Sequence, residues 1–502
     1  MQPAFHFLLG IFTGMRALAA AVLLLAALGG CRPPLPRDVP KPQPFAGMTV
    51  RVSCADPAYA AELVRRGKVW GTRTGGTLTL EPDWTNADAV ILPPKRLGEL
   101  AETGLLAPRP LALSDRDNAL RWSEVLPAFQ DKLCNWGRQP LAVPVAGDGF
   151  VLVYRADRFA DPKAVAAHRA RHQRELDPPH TWEDLRAVAD TFFSLDGKPS
   201  LPPLPPDPAG AAVAFNRVAA CYDRSAGAGQ ARTAKPEEQP PPTGSAFRFH
   251  VDPETGEPRL TAPAFVAAFG WFHDTAKFRP PAGDPRDALV KGSAVAAILS
   301  MKEVARLPKG PGGLVDPRFA VAPIPGAAVW YGPDGKPNPA AGGRNYVPLL
   351  GAGGQLGVVF QRTTVAEAAW DFLTDWAGPD GADDTLGDVG LGAGPFRYSH
   401  VTTNEKAARW QRYGFDAKRT EQLARALAAF ADPQVREPVY PIRTPDYAAR
   451  EALLADSVRQ AAAGKLTGAQ AAAEAQQAWL AQDAKAPKEE LLKWTRHAVG
   501  LE

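Results

Sequence analysis

Short apolar runs alternate along the chain with segments of helical periodicity. The runs have the length of strands and are bounded by Gly, Pro, Asn or Asp, which commonly form turns. This alternation predicts an α/β fold. The predicted strands are Thr49–Ser53, Thr77–Leu80, Ala89–Leu92, Phe150–Tyr154, Ala294–Leu299, Phe319–Ala322 and Leu356–Phe360.

Amphipathic segments follow most of these runs and predict helices. In the last and longest segment, Gly464 interrupts the helical pattern and Thr467 supplies a cap for a second helix. The predicted helices are Ala58–Arg66, Arg96–Thr103, Trp182–Phe193, Pro263–Phe278, Val365–Trp376, Glu405–Arg412, Thr420–Ala431 and the interrupted Pro445–Ala484.

The stretch from Val143 to Leu185 is the most informative part of the chain. Its apolar run begins at Phe150 and follows Gly147-Asp148-Gly149. The two glycines allow a sharp bend and a close approach, and the Asp148 carboxylate supplies a charged acceptor there. The same residues suit a ligand-facing hinge and a tight turn. On the residues alone the turn is the commoner case, since Gly and Asp are frequent turn formers.

Residues 1–30 predict a lipoprotein signal peptide rather than part of the fold. Arg16 precedes an apolar core, Ala17–Leu28, that is shorter than the roughly 18 to 20 residues needed to cross a bilayer. Small residues then precede Cys31, which we expect to be lipidated and to become the mature N-terminus. The compact basic start at Met15-Arg16 leaves open whether translation begins at Met1 or Met15.

Proline marks the tether and two loops of the chain. The sequence contains 51 prolines among 502 residues, about twice the usual proportion. Residues 31–47 predict a semi-rigid tether between the membrane surface and the folded body. Segments 198–208 and 225–245 have loop composition. The roughly 455 residues after the tether exceed one hydrophobic core and predict two or more lobes.

Charge and cysteine content exclude several classes of partner. The chain has 57 Lys and Arg against 54 Asp and Glu and no basic stripe, which argues against a nucleic-acid partner. Cys54, Cys134 and Cys221 remain besides the signal cysteine. Their spacing forms no metal motif and allows at most one disulfide. We therefore expect no metal and no cofactor.

Candidate catalytic motifs are weak. His168 and His172 lie four residues apart, but arginines stand where a metalloprotease needs an acid, so we interpret this segment as a solvated helix face. The chain has no G-x-S-x-G motif, and the glycines after Gly351 lead into a strand instead of opening a helix. A glycosidase needs two opposed carboxylates, and Asp56 with Asp148 leaves that alternative open. The sequence favours a protein that is not an enzyme.

Five colinear blocks resemble family one of the extracellular solute-binding proteins of ABC importers, the maltose-binding-protein-like class. The hinge block, V-P-V-A-G-D-G-F-V-L-V-Y-R-A-D followed by P-P-H-T-W-E-D-L, is the most specific. The blocks cover most of the mature chain, and their common order carries the resemblance. They lie at Val50–Leu63, Ala87–Pro94, Val143–Leu185, Ala288–Met301 and Gly353–Phe360.

The resemblance implies a two-lobed type II periplasmic-binding-protein fold made of discontinuous chain. Lobe 1 would comprise residues 48–147 and 321–380, and lobe 2 residues 148–320 and 381–440. The helices of residues 441–502 would pack across both lobes. The implied function is that of a monomeric lipoprotein, anchored outside the cytoplasm, which captures a small polar solute, above all a carbohydrate. Lobe closure would deliver the solute to the ABC permease.

The resemblance also implies which residues bind the solute. Carboxylates would accept hydrogen bonds from sugar hydroxyls, and Tyr447 would stack on a ring. Asp56 equally suits a helix cap, and Tyr447 equally suits the core. The matching positions are Asp56, Leu92, Pro93, Asp148, Ser300, Met301, Gly353, Gly354, Gln355 and Tyr447.

This sequence departs from the family pattern in two respects. Residues 73–88 are too few for the helix that this class places between its second and third strands. Gln355 stands where an aromatic residue is common, and so does Met301 or Lys302, which predicts a weaker sugar site or a different polar solute. Trp84 and Trp330-Tyr331 are candidates for replacement rings, although isolated tryptophans are more often core or rim residues.

A second function class fits the same features. A ligand-sensing or scaffold lipoprotein would keep the fold and the anchor without a role in transport. Neighbouring permease genes would favour transport, whereas an isolated or receptor-linked gene would favour sensing.

Overall fold

The computed structural model describes residues 43–115, 118–226, 247–281, 283–401, 407–432, 435 and 437–502. The signal peptide, Cys31, most of the tether and most of loop 225–245 lie outside the described residues. Residues 45–502 form one compact unit. Within the described ranges, no helix is both long and apolar enough to cross a membrane.

Strands and helices alternate through most of the chain. The described strands are β1 (Thr49–Cys54), β2 (Thr77–Glu81), β3 (Ala89–Leu92), β4 (Asn135–Trp136), β5 (Gln139–Pro140), β6 (Ala142–Ala146), β7 (Phe150–Arg155), β8 (Ala296–Ser300), β9 (Phe319–Ala322), β10 (Val329–Tyr331), β11 (Pro337–Pro339) and β12 (Gln355–Val359).

The described α-helices are α1 (Pro57–Thr74), α2 (Leu97–Ala101), α3 (Ala156–Phe159), α4 (Pro162–His172), α5 (Trp182–Asp196), α6 (Pro208–Asp223), α7 (Pro263–Asp274), α8 (Pro285–Lys291), α9 (Met301–Val304), α10 (Ala366–Ala377), α11 (Pro379–Gly387), α12 (Tyr398–Val401), α13 (Ala407–Trp410), α14 (Ala417–Phe430), α15 (Tyr447–Ala462), α16 (Gly468–Asp483) and α17 (Lys488–Ala498).

The first sheet has five strands in the order β2-β1-β3-β12-β6. β1 runs parallel to β2 and β3, and β12 runs antiparallel to both β3 and β6. β6 therefore points in the same direction as β1 and β3. The carboxyl ends of these three strands meet the amino end of β12 at one edge of the sheet. In α/β folds, ligands bind outside such an edge.

The second sheet has the order β8-β7-β9, with both outer strands antiparallel to β7. The chain passes from the first sheet to the second through residues 147–149, between the last residue of β6 and the first of β7. The amino end of β7 and the carboxyl end of β8 therefore lie beside this crossing. The two sheets define the two lobes.

Both faces of the second sheet are covered. Val151 and Val153 belong to a separate hydrophobic cluster with Leu423 and Leu427 of α14, whereas Leu152 belongs to the large cluster that also covers the first sheet. Successive residues of β7 thus point into different cores, as strand geometry requires. This double burial explains why β7 is an unbroken apolar run.

The C-terminal helices contact helices of both lobes. α15 packs against α6 and α16 packs against α7, both in the second lobe, while α17 packs against α2 in the first. The helix break and restart near Thr467 are confirmed, because Thr467 caps α16 in a capping box with Gln470. The predicted return of the chain to lobe 1 at residue 321 falls inside β9, a strand of the second sheet.

All seven predicted strands are present to within two residues, and no helix lies between β2 and β3, as the short segment 73–88 predicted. The solvated-face interpretation of the paired histidines was wrong. His168 is 3% exposed, and its Nδ1 forms a hydrogen bond of 2.8 Å with the Thr191 hydroxyl. His168 is therefore a satisfied core histidine, and no group of metal-binding residues occurs within the described ranges.

Candidate solute-binding cleft

The crossing between the sheets is built around the carboxylate of Asp148. Asp148 is 4% exposed and accepts hydrogen bonds from the backbone N–H groups of Gly351 (3.2 Å), Ala352 (3.1 Å) and Gly353 (3.3 Å). Burial raises the pKa of Asp148, and the N–H groups of Gly351 and Gly353 oppose that rise. The carboxylate thus fastens the loop before β12 to the segment between β6 and β7.

Glycines allow the segments at this crossing to approach closely. Gly354 has a φ of +75°, and a Cβ there would lie 2.5 Å from the Ala146 carbonyl oxygen. A Cβ on Gly394 would lie 2.0 Å from the Asp148 carbonyl oxygen. The Gly394 N–H donates to the Gly147 carbonyl at 2.8 Å. A third chain segment therefore joins the crossing, and no side chain fits at these positions.

Asp56 caps a helix, one of the two roles that the sequence left open, and its contact with a solute stays a prediction. One carboxylate oxygen caps α1 by accepting from the Ala58 N–H at 2.9 Å. The other oxygen lies 3.5 Å from Nζ of Lys302. Because Asp56 follows β1 and Lys302 follows β8, this ion pair connects the edges of the two sheets. The Lys302 side chain is 50% exposed, so the pair contributes little to stability.

Several predicted residues lie at these edges with their side chains already engaged. The Ser300 hydroxyl forms a capping box with Glu303 at the start of α9. Met301 is 0% exposed and belongs to the core of the second lobe, and Leu92 is 1% exposed. Pro93 is half-buried directly after β3. The side chains of Met301 and Leu92 are closed to solvent, so a solute would meet backbone atoms at both positions.

Gln355 offers free polar groups at the same edge. It is the first residue of β12 and lies opposite Ala146 in β6. The residue is 9% exposed, and its side-chain amide takes part in no hydrogen bond between described residues. An amide both donates and accepts hydrogen bonds. Gln355, beside Gly353 and Gly354, is therefore equipped to contact a polar solute.

Arg217 of α6 was not predicted from the sequence. Its guanidinium carbon lies 3.7 Å from the ring centroid of Phe150, the residue that opens β7. Nε and Nη2 are buried and have no hydrogen-bond partner. Burial lowers the pKa of Arg217 to about 10, while the nearby charges of Asp148 and Glu303 oppose the decrease. Arg217 becomes a candidate for the site only because α6 packs against β7, and these two elements lie far apart in the sequence.

Tyr447 lies against the turn that follows β3. It is half-buried, and Nζ of Lys95 lies 5.3 Å from its ring centroid. Lys95 in turn forms an ion pair of 2.9 Å with Glu451. Burial raises the pKa of Tyr447, helped by the negative charge of Glu99. The stacking role predicted for Tyr447 stays a prediction.

The proposed replacement rings lie in two separate parts of the fold. Trp84 stacks on Phe360 with ring centroids 5.8 Å apart, beyond the end of β12 opposite to Gln355. Trp84 therefore packs at the far edge of the first sheet. Trp330 and Tyr331 form β10 of a hairpin, and the ring centroid of Tyr331 lies 6.4 Å from that of Tyr222.

Two α/β lobes, a three-segment crossing and polar groups at adjoining sheet edges define a two-lobed binding protein with a cleft between its lobes. The chain belongs to the bacterial extracellular solute-binding protein family, whose profile matches residues 74–413. This match confirms the resemblance that the five sequence blocks indicated. No curated protein sequence matches the chain significantly.

Solved structures share the fold at low sequence identity. The cyclic α-maltosyl-1,6-maltose binding protein of Arthrobacter globiformis superimposes with a TM-score of 0.62 and 17% identity, covering 89% of this chain and 99% of the other. The sugar-binding protein MalE of Xanthomonas citri gives 0.60 and 16%, covering 87% and 98%. An ABC transporter solute-binding protein of Agrobacterium radiobacter K84 in complex with ribitol gives 0.57 and 17%, covering 86% and 98%.

Proposed function

We propose that the protein is the solute-binding lipoprotein of an ABC importer, which captures a small polar solute, above all a carbohydrate, between its lobes. The observation that carries this proposal is the junction of the two sheet edges at Asp148, with the free amide of Gln355 beside it. Structures of the same fold are described as binding maltosyl sugars and ribitol. The neutral balance of charge and the absence of a catalytic motif favour capture over chemistry.

Capture would proceed by closure of the lobes about the crossing. A solute that contacts both sheet edges binds the closed arrangement better than the open one and shifts the population towards it. In the closed arrangement, Asp56 and Lys302 would form a weak ion pair between the lobes. A permease that recognises the closed arrangement would receive only loaded protein. Lipidation at Cys31 and the Pro-rich tether would keep the protein beside that permease, outside the cytoplasm.

A thermal-shift screen of residues 45–502 tests this proposal. The panel contains neutral and acidic mono- and oligosaccharides and polyols. A solute present at a hundredfold excess over its dissociation constant stabilises the folded state by about 2.7 kcal/mol, which raises Tm measurably. A Gln355→Ala variant should lose most of the shift while keeping the Tm of the unliganded protein. If no sugar, sugar acid or polyol changes Tm, the proposed function is wrong.

A further inference from the structure

The guanidinium of Arg217 is a buried charge that the described part of the chain leaves without a partner. Arg217 is 9% exposed, and its Nε and Nη2 atoms donate no hydrogen bond. It forms no ion pair with a described residue. Its guanidinium carbon lies over the face of the Phe150 ring, 3.7 Å from the ring centroid.

Two other buried arginines of this chain donate several hydrogen bonds by comparison. Arg397 is 0% exposed and donates to the carbonyl oxygens of Ala377 and Leu120. Arg443 is 1% exposed and donates to four backbone carbonyl oxygens. An isolated buried charge costs several kcal/mol. Arg217 and Arg109 each have two buried guanidinium nitrogens without a hydrogen-bond partner, and of the two it is Arg217 that lies against Phe150, where β7 begins beside the crossing.

Arg217 lies against the first residue of β7, at the end of the second sheet beside the crossing. Phe150 begins β7 and pairs with Ser300 at the end of β8, so the ring under the guanidinium marks the edge of the second sheet. The acidic groups nearest in effect to Arg217, which oppose the lowering of its pKa by burial, are the phenol of Tyr346 and the carboxylates of Asp148 and Glu303. Of these groups, Asp148 is bound by three backbone N–H groups and is not within ion-pair distance.

We propose that the captured solute carries an anionic group, a carboxylate or a phosphate or sulfate ester, which binds the guanidinium of Arg217. This inference rests on the proposed function and assigns its solute class: an acidic sugar or sugar acid. Two anionic oxygens match the parallel N–H groups of a guanidinium and supply the missing countercharge. A hydroxyl would satisfy the hydrogen bonds and leave the charge uncompensated.

Matched pairs of solutes test this inference by isothermal titration calorimetry on residues 45–502, which form one compact unit. The pairs share a carbon skeleton and differ in one anionic group: glucose and glucuronate, galactose and galacturonate, glucose and glucose 6-phosphate, glucitol and gluconate. In at least one pair the acidic member should bind at least tenfold more tightly. That advantage should decrease with added salt, since it depends on charge.

Variants separate a role in recognition from a role in folding. Arg217→Gln should remove the tenfold advantage and bind the acidic and neutral members equally, whereas Arg217→Lys should keep part of it. Arg109 is a matched control, because it is 5% exposed, stacks on Trp122 and also has unpaired nitrogens. Arg109→Gln should leave the ratio of acidic to neutral affinity unchanged.

The outcomes of the titrations test separately the anionic solute, the assignment to Arg217 and the proposed function. Tighter binding of neutral members in every pair overturns the anionic solute and leaves the proposed function intact. An acidic advantage that persists in Arg217→Gln overturns the assignment to Arg217. If no member of any pair binds, and the wider sugar panel fails as well, the proposed function itself is wrong.

Discussion

At the scale of single residues, the structure assigns Asp148 a more definite role than the sequence does. The sequence offers a carboxylate between two glycines, which suits a turn, a hinge or a sugar contact. In the structure its oxygens accept from three consecutive backbone N–H groups. Asp148 therefore holds the crossing together. A solute that contacts Asp148, as proposed, would use the lone pairs of the carboxylate that these three N–H groups leave unoccupied.

Replacing Asp148 tests this structural role. Asp148→Ala leaves three backbone N–H groups without their partner, each at a cost of about 1 to 3 kcal/mol where it stays buried. We expect the free energy of unfolding, measured by urea denaturation, to decrease by about 3 kcal/mol. Asp148→Asn retains one acceptor oxygen and should lose roughly half as much. A decrease below about 1 kcal/mol for the alanine variant would show that the loop 351–353 does not depend on this carboxylate.

At the scale of secondary-structure elements, the sequence predicts best what is buried on both faces. β3, β7 and β12 are continuous apolar runs bounded by turn residues, and they occur where predicted. β6 was missed because Pro144 interrupts its pattern, and the structure shows why proline is tolerated: β6 is an edge strand. α6 was missed because it is buried around most of its circumference and shows no polar face.

The same limits apply to the candidate site. Asp56 and the 147–149 crossing were found because they follow apolar strands and match a family pattern. Arg217 depends on the packing of α6 against Phe150, a contact between residues far apart in the chain. Nothing in the local pattern around Arg217 distinguishes it from a surface arginine at the end of a helical turn. Long-range placement, and not local propensity, defines this part of the cleft.

The close approach of the crossing segments gives a prediction about Gly354. Gly354→Ala forces a non-glycine residue into the left-handed region and places a Cβ 2.5 Å from a backbone oxygen, so we expect a loss of at least about 2 kcal/mol in the free energy of unfolding. Gly270→Ala in α7 is the control. A Cβ there meets no atom within 4 Å, so helix propensity should stabilise that variant by about 0.5 to 1 kcal/mol. Equal effects of the two substitutions would contradict this role of Gly354.

At the scale of the whole molecule, the central claim is that two lobes close on a solute about the Asp148 crossing. The fold belongs to the solute-binding class, and we propose that a solute contacts groups at the adjoining sheet edges. Closure requires that these edges separate when the cleft is unloaded. The Asp56–Lys302 pair is exposed enough to break at little cost.

The most direct test measures the distance between spin labels on opposite lobes with and without solute. Lys68 on α1 and Lys163 on α4 are exposed and would be replaced by cysteine. Cys54 is half-buried and would be replaced by serine so that the spin label does not react with it. Cys134 and Cys221 are buried and would be kept. With a solute from the thermal-shift screen bound, we predict one shorter and narrower distance distribution than without it. A distribution that stays unchanged when calorimetry shows the solute to be bound would contradict closure of the lobes.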